Sequence, residues 1–169
     1  MRTKNKTMVI GVCLTVLILI GLVWFAKPSP GETNIAAAGS GGTGALAAEE
    51  HIYDFGTISM AAGEVRHVFP VKSQGDALLV IKKMYTSCMC TTATLTAGGQ
   101  TFGPFGMPGH GFIPAINARI DAGETASVEV VFDPAAHGPA GVGKIERIVR
   151  LEQEDGDPLE LHVSAFVTP

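Results

Sequence analysis

The feature that most restricts the fold of this chain is the alternation of apolar and polar residues beyond Glu49. In LELHVSAFV, residues 159–167, apolar side chains occupy every second position along most of the run. Successive side chains of a β-strand point to opposite faces of the sheet, so this pattern predicts a strand with one buried face. Other runs share the β-type texture: HIYDFGTI, VRHVFPV, ALLVIKKMYT, ASVEVVF and IERIVRLE. With turn signals between them and no sustained helical period, they predict an all-β domain, an antiparallel β-sandwich of about seven strands.

A long apolar segment precedes this region. Residues 8–26, MVIGVCLTVLILIGLVWFA, contain no charged side chain, and a helix of about this length crosses a hydrocarbon core of roughly 30 Å. Residues 1–7 carry only basic charges, which by the positive-inside rule keeps that end in the cytoplasm. We therefore predict one N-terminal transmembrane helix that acts as an uncleaved signal anchor. A cleaved signal peptide is the alternative, but its apolar region is usually shorter and is followed at once by small residues.

The segment between the apolar helix and the strands has a different composition. Residues 27–48 are rich in Pro, Gly, Ser and Ala and contain almost no large side chain. Such a segment cannot bury a core, and it predicts a flexible linker. The domain formed by residues 49–169 is then expected on the far side of the cell membrane, outside the cytoplasm, as part of a single-pass protein.

Two classes of ligand are disfavoured by the sequence. The formal net charge is −4, and without a basic face the chain is a poor candidate for nucleic acid. Residues 138–144, GPAGVGK, match the opening of a nucleotide-binding P-loop, but Ile145 follows where Mg²⁺ binding needs a hydroxyl, and the next run is strand-like. No motif of hydrolytic catalysis is present either. We expect no nucleic acid, no nucleotide and no enzymatic activity.

One glycine-rich segment is too long for a simple turn. Residues 97–116, AGGQTFGPFGMPGHGFIPAI, separate two strand-like runs. Loops above roughly 12–15 residues are usually functional or disordered, and the three phenylalanines of this segment argue against disorder. We predict a functional loop; the alternative is that its phenylalanines only cover one end of the sandwich.

A resemblance follows from several segments taken together. YDFGTI, VFPV, QGDALLVIKKMYTSCMCT and DAGETASVEVVFDP are followed by His-Gly and an Arg-x-Val strand. From about residue 49 onwards the chain resembles the bacterial family known as domain of unknown function 1573, and its Cys-x-Cys-Thr step is the most specific element. The resemblance implies an immunoglobulin-like sandwich, similar to hydin and major-sperm-protein domains, in an exported or membrane-anchored protein without an established activity. Met89 stands where the common version of the family has glycine.

The Cys-x-Cys step itself lies in YTSCMCTT, residues 85–92. Cys13 falls in the apolar segment, so Cys88 and Cys90 are the two cysteines of the exported part. A disulfide between them requires the segment to turn, and such a strained bond is easily reduced. No flanking group that lowers a thiol pKa is evident in the sequence. A thiol-disulfide redox pair therefore remains an alternative to a plain strand end.

Metal binding is the other interpretation of this step. Met107 and His110 lie three residues apart in GMPGHG, a spacing that lets both side chains face one point. Thiolate, thioether and imidazole ligands together favour Cu(I). The sequence thus predicts a candidate Cu(I) site from Cys88, Cys90, Met107 and His110, with His137 as a reserve ligand.

The function expected from these features is an accessory one. A membrane-anchored sandwich without catalytic motifs is typical of a non-enzymatic module that contacts another protein of the cell envelope, an expectation based on fold alone. Cu(I) binding or metal handling is the first alternative, and thiol-disulfide exchange is the second.

Overall fold

The structure, a computed structural model, describes residues 45–169. The predicted basic tail 1–7, the transmembrane helix 8–26 and most of the linker 27–48 lie outside the described residues. Within residues 45–169, no helix has the length and apolar character needed to cross a membrane.

Ten strands make up the described part of the chain. They are β1 (Ala45–Ala48), β2 (Ile52–Ser59), β3 (Val65–Gln74), β4 (Leu79–Thr86), β5 (Thr91–Ala97), β6 (Gln100–Phe105), β7 (Ala118–Ile120), β8 (Thr125–Phe132), β9 (Gly143–Gln153) and β10 (Leu159–Thr168). Short 3₁₀ turns occur at Met60–Ala62 and Gly138–Gly141.

The strands form two five-stranded sheets. The first has the order β1-β3-β8-β5-β6 and the second has the order β2-β10-β9-β4-β7. Strands β2 and β10 pair in parallel, while the other neighbours are antiparallel. The predicted all-β sandwich is confirmed in this coarse form, but the second sheet is mixed and there are ten strands rather than about seven. The additional strands are short ones: β1, β6 and β7 lie in Ala-, Gly- and Pro-containing segments whose composition hides them.

The core lies between the two sheets. Phe69 and Val128 of the first sheet and Ile81 and Leu161 of the second are completely buried and belong to one apolar cluster. Along β10 the buried residues alternate with partly exposed ones, as the sequence pattern predicts. Each such side chain contributes about 1.5–3 kcal/mol relative to an exposed one, so this shared cluster holds the sheets face to face.

The folded domain begins earlier than the predicted boundary at Glu49. Residues 45–48 form β1, which pairs antiparallel with β3, and Leu46 is buried against the core. Composition alone assigned these small residues to the linker. However, β3 offers unpaired backbone groups at this edge, and one leucine in the right register is enough to fix a short strand.

The predicted loop 97–116 also contains regular structure. Strand β6 pairs antiparallel with β5, and Ala97 lies opposite Gln100. Gly98 and Gly99, which connect the two strands, both have positive φ angles, 56° and 74°. Two such residues are what a tight two-residue hairpin requires. The irregular part of the segment is therefore limited to the residues between β6 and β7.

Candidate functional site

The two cysteines lie in the turn that passes from one sheet to the other. Strand β4 of the second sheet ends at Thr86, and β5 of the first sheet begins at Thr91. The backbone N–H of Thr91 donates to the carbonyl oxygen of Cys88 at 3.2 Å, which closes a tight turn around Met89. The buried hydroxyl of Thr86 lies 2.9 Å from the carbonyl oxygens of both Cys88 and Thr91. Hydrogen bonds of Thr86 and Thr91 thus hold the segment in a turn. A disulfide between the two cysteines would require such a turn.

His137 approaches this turn from the connection between β8 and β9. Its Nε2 atom lies 3.1 Å from Sγ of Cys88, and the Sγ atoms of Cys88 and Cys90 are 2.6 Å apart. The ligand atoms of the three residues all lie within 4.8 Å of one another. The backbone N–H of Asp133 donates to the carbonyl oxygen of Cys90 at 2.9 Å, so a direct bond joins the two connections. We call Cys88, Cys90 and His137 the Cys–His cluster.

Arg147 of strand β9 completes the surroundings of the cluster. Its Nε atom donates to Sγ of Cys90 at 3.1 Å, and its Nη1 atom donates to the carbonyl oxygen of Glu146. Cys90 is 3% exposed and packs in a second apolar cluster with Phe132, whereas Cys88 is half-buried and His137 is exposed. One sulfur is therefore accessible and the other is enclosed beside a positive charge.

The two thiols titrate differently because of these contacts. Burial raises the pKa of Cys88, but hydrogen bonds with Cys90 and His137 and the positive charge of Arg147 outweigh burial and lower this pKa to about 7. For Cys90, burial and the hydrogen bond with Cys88 raise the pKa despite the opposing effect of Arg147. Burial lowers the pKa of Arg147, but its interactions with the two sulfurs outweigh burial and raise it. Cys88 is thus the group that becomes a thiolate first.

The structure does not gather all of the predicted ligands. It places the ligand atom of His137, the reserve ligand, within 4.8 Å of both cysteine sulfurs. His110 does not belong to the Cys–His cluster. Met107 and His110 instead line a neighbouring cavity together with Met89. Neither described cysteine is in a disulfide.

Arg147 is the functional residue that sequence reasoning missed. It is 57 positions from Cys90 along the chain, and no spacing motif links the two residues. In the sequence, Arg147 is recognisable only as part of the β-type run IERIVRLE. This run predicts a strand, but it does not predict that the strand lies beside the cysteine turn.

Comparison with known proteins supports the family and the fold. Residues 46–101 match the model of the family described as "Protein of unknown function (DUF1573)". This match confirms the resemblance over those residues, which include the cysteine turn; His137 and Arg147 lie beyond it. No curated protein matches the chain.

Among solved structures, a protein of unknown function from Porphyromonas gingivalis W83 is similar, with a TM-score of 0.54 and 15% identity. The similarity covers 79% of this chain and 51% of that one, so the chain spans about half the length of that structure. The CooA pilin subunit from enterotoxigenic Escherichia coli has a TM-score of 0.42 and 12% identity, covering 76% of this chain and 100% of the pilin. The likeness to the Porphyromonas gingivalis protein concerns the fold and not the activity.

Proposed function

We propose that this chain is an exported, non-enzymatic accessory module of the cell envelope that binds Cu(I) through Cys88, Cys90 and His137. The observation that carries the proposal is the convergence of the three ligand atoms within 4.8 Å. Ligands at bonds of about 2.0–2.3 Å from one ion lie at most about 4.6 Å from one another. The three ligand atoms are therefore close enough to share one ion, and the two sulfurs, 2.6 Å apart, separate to make room for it.

The chemistry of the cluster favours Cu(I) over harder or more highly charged ions. Thiolates are soft ligands that select Cu(I), and an imidazole suits it as well. Two thiolates and one Cu(I) leave a net charge of −1, which the guanidinium of Arg147, 3.1 Å from Sγ of Cys90, compensates. The same ligands around Zn²⁺ are neutral and leave that partly enclosed positive charge without a partner.

The cellular setting of the proposal comes from the sequence. The predicted transmembrane helix 8–26 and the predicted linker, which ends where β1 begins at Ala45, hold an immunoglobulin-like sandwich outside the cytoplasm, where an envelope protein serves as its partner. On this chain, the surface that contacts the partner includes Met89, which is 50% exposed, and Phe112, which is 88% exposed. Replacing residues 107–113 by a Gly-Ser segment should abolish capture of the partner by the anchored protein, and unchanged capture would exclude this surface.

The metal site is tested by Cu(I) titration of the full chain in detergent micelles, in competition with a Cu(I)-specific chelator. We expect one ion per chain at the Cys–His cluster. Replacing both cysteines (Cys88→Ser with Cys90→Ser) should remove this affinity because the thiolates are the strongest ligands. His137→Ala should weaken it, and His51→Ala, outside the cluster, should leave it unchanged.

The same titration contains the outcome that contradicts the proposal. If the variant without the two thiols binds Cu(I) as tightly as the wild type, the Cys–His cluster is not the site. If Zn²⁺ displaces Cu(I) from the wild-type chain at equal concentration, the charge argument from Arg147 is wrong.

Thiol-disulfide exchange is a second candidate, and a separate observation favours it. The two Sγ atoms are 2.6 Å apart in a closed turn, so a bridge needs little rearrangement. In the exchange, Cys88 and Cys90 lose two electrons and two protons and form one S–S bond, while a partner disulfide is reduced to two thiols. Mild oxidation by a glutathione redox buffer should yield an intramolecular bridge, detected by mass. Failure to form this bridge eliminates the second candidate but not the first.

A further inference from the structure

A cavity of about 400 Å³ lies beside the Cys–His cluster. Three side chains that can bind a soft metal ion, two thioethers and one imidazole, line this cavity. Met89, Met107 and His110 share its wall with Phe105, Phe112 and Ile113. Thioether and imidazole groups are ligands for Cu(I), whereas none of the three carries the carboxylate oxygen that harder ions prefer. The cavity therefore has the donor set of a soft-metal site without any thiolate.

Met89 connects this cavity to the Cys–His cluster. It is the single residue between Cys88 and Cys90, and its side chain is 50% exposed. Met84, in the preceding strand, is by contrast completely buried and packs in the core. The apolar core thus explains Met84 but not Met89, whose position brings a thioether to within one residue of each thiol.

The loop that supplies the other two ligands is attached to the same strand end. The backbone N–H of Thr86 donates to the carbonyl oxygen of Gly106 at 3.1 Å, and the hydroxyl of Thr86 contacts the cysteine turn. The backbone N–H of His110 donates to the carbonyl oxygen of Met107 at 3.3 Å, which closes a turn through Gly109, whose φ is 88°. Thr86 therefore ties both the loop and the cysteine turn to one point.

We propose that Met89, Met107 and His110 form a second, weaker Cu(I) site through which the ion reaches the Cys–His cluster. The proposal rests on the proposed function, since an entry site requires a final site. The transfer is a ligand exchange without electron transfer. Bonds from Cu(I) to the thioethers and the imidazole of His110 break, bonds to Cys88 and Cys90 form, and any thiol proton that remains is released to water. Neutral thioethers hold the ion less firmly than thiolates, so it moves towards the cysteines.

The experiment uses the full chain in detergent micelles, labelled with ¹³C in the methionine methyl groups and titrated with Cu(I) without oxygen. In wild-type protein, we expect the first equivalent to produce thiolate–copper absorption and the second to shift the methyl signals of Met89 and Met107. In the variant without the thiols of Cys88 and Cys90, both methionine signals should shift with the first equivalent. The signal of Met84, which packs in the core cluster without cysteines, should not move in either protein.

The outcomes separate the two proposals. If thiolate–copper absorption appears but the signals of Met89 and Met107 never shift, the Cys–His cluster stands and the second site does not exist. If both methionine signals shift with the first equivalent in wild-type protein and no thiolate–copper absorption appears, the proposed function fails. That second result also removes the entry role, since no final site remains to receive the ion.

The entry role has a kinetic test of its own. The paired change Met89→Leu and Met107→Leu removes both thioethers of the second site. It should slow loading from a small-molecule Cu(I) chelator by about tenfold, because the local concentration of the ion near the cysteines falls. Met84→Leu, which changes a thioether in the core cluster that contains neither cysteine, is the matched control. An equal loading rate in the paired variant overturns the entry role.

Discussion

At the scale of single residues, burial and the hydrogen bond between the two sulfurs make the thiols unequal, because this bond lowers the pKa of Cys88 and raises that of Cys90. Cys88 is half-buried with a pKa of about 7, and Cys90 is 3% exposed with a raised pKa. The guanidinium lies 3.1 Å from Sγ of Cys90 and stabilises negative charge on either sulfur. A thiolate, not a thiol, is the nucleophile and the metal ligand. Cys88 is therefore the thiol that reacts first near neutral pH.

Removing the charge of Arg147 should make Cys88 less acidic. In Arg147→Gln, the thiolate loses a favourable interaction, so the pKa of Cys88 rises and the thiolate fraction at pH 7 falls. The rate of alkylation of Cys88 by iodoacetamide at pH 7, followed by mass spectrometry of metal-free protein, should decrease, and its pH profile should move to higher pH. Arg66→Gln, which removes an arginine paired with Glu64 and Glu129 on the surface, should change neither quantity. An unchanged profile in Arg147→Gln would show that the other contacts of Cys88 set its acidity.

Part of the candidate site was predictable at this scale and part was not. The residue types of Cys88, Cys90 and His137 are those of soft-metal ligands, and the sequence indicates the turn in which each one lies. Which of two histidines reaches the sulfurs depends on which connection meets the cysteine turn, and this is set by the order of strands in the two sheets. For the same reason, the spacing of residues could not show that His110 lies outside the Cys–His cluster or that Arg147 contacts Cys90.

At the scale of elements, the hairpin formed by β5 and β6 is the main departure from the sequence prediction. A glycine-rich stretch was expected to be one long loop, yet Gly98 and Gly99 are the two residues that a tight hairpin turn needs. The dipeptide is flanked by TATLTA and QTF, both compatible with strands. The sequence therefore contains the residues typical of a hairpin. The many glycines that follow led to the prediction of one long loop instead. The hairpin matters for the site because it fixes where the loop with Met107 and His110 begins.

The hairpin turn gives a prediction about stability. At Gly99, φ is 74° and an added Cβ meets nothing within 4 Å, so the cost of Gly99→Ala comes from backbone strain alone. We expect a loss of about 1–2 kcal/mol in the free energy of unfolding. Gly106→Ala is the matched control because that glycine also has open space but no positive φ. Urea denaturation measures both variants, and equal stabilities would mean that the turn relaxes at no cost.

At the scale of the whole domain, the Cys–His cluster joins parts of the chain that the fold brings together at one end of the sandwich. The cysteine turn connects β4 to β5, and His137 lies in the connection between β8 and β9. Each of these connections runs between the two sheets. A metal ion bound by both turns therefore adds a cross-link between segments that are distant in sequence. In an unfolded chain Cys88 and Cys90 remain neighbours, whereas His137 is not held near them.

This arrangement predicts how Cu(I) should change the stability of the domain. An ion that binds only the folded state at a concentration of 100 times Kd stabilises it by about 2.7 kcal/mol. Cys88 and Cys90 also bind Cu(I) in the unfolded chain, so we expect a smaller gain, arising mainly from His137 and the preformed turn. Urea denaturation of the full chain with and without Cu(I) should show this gain in wild-type protein and a reduced gain in His137→Ala. The gain should be smallest when both cysteines are serine, because only the weaker second site then binds the ion. His51→Ala should behave as wild type. An equal gain in His137→Ala and wild type would show that the histidine is not a ligand, because a ligand from a distant segment adds to the gain that the preformed turn provides.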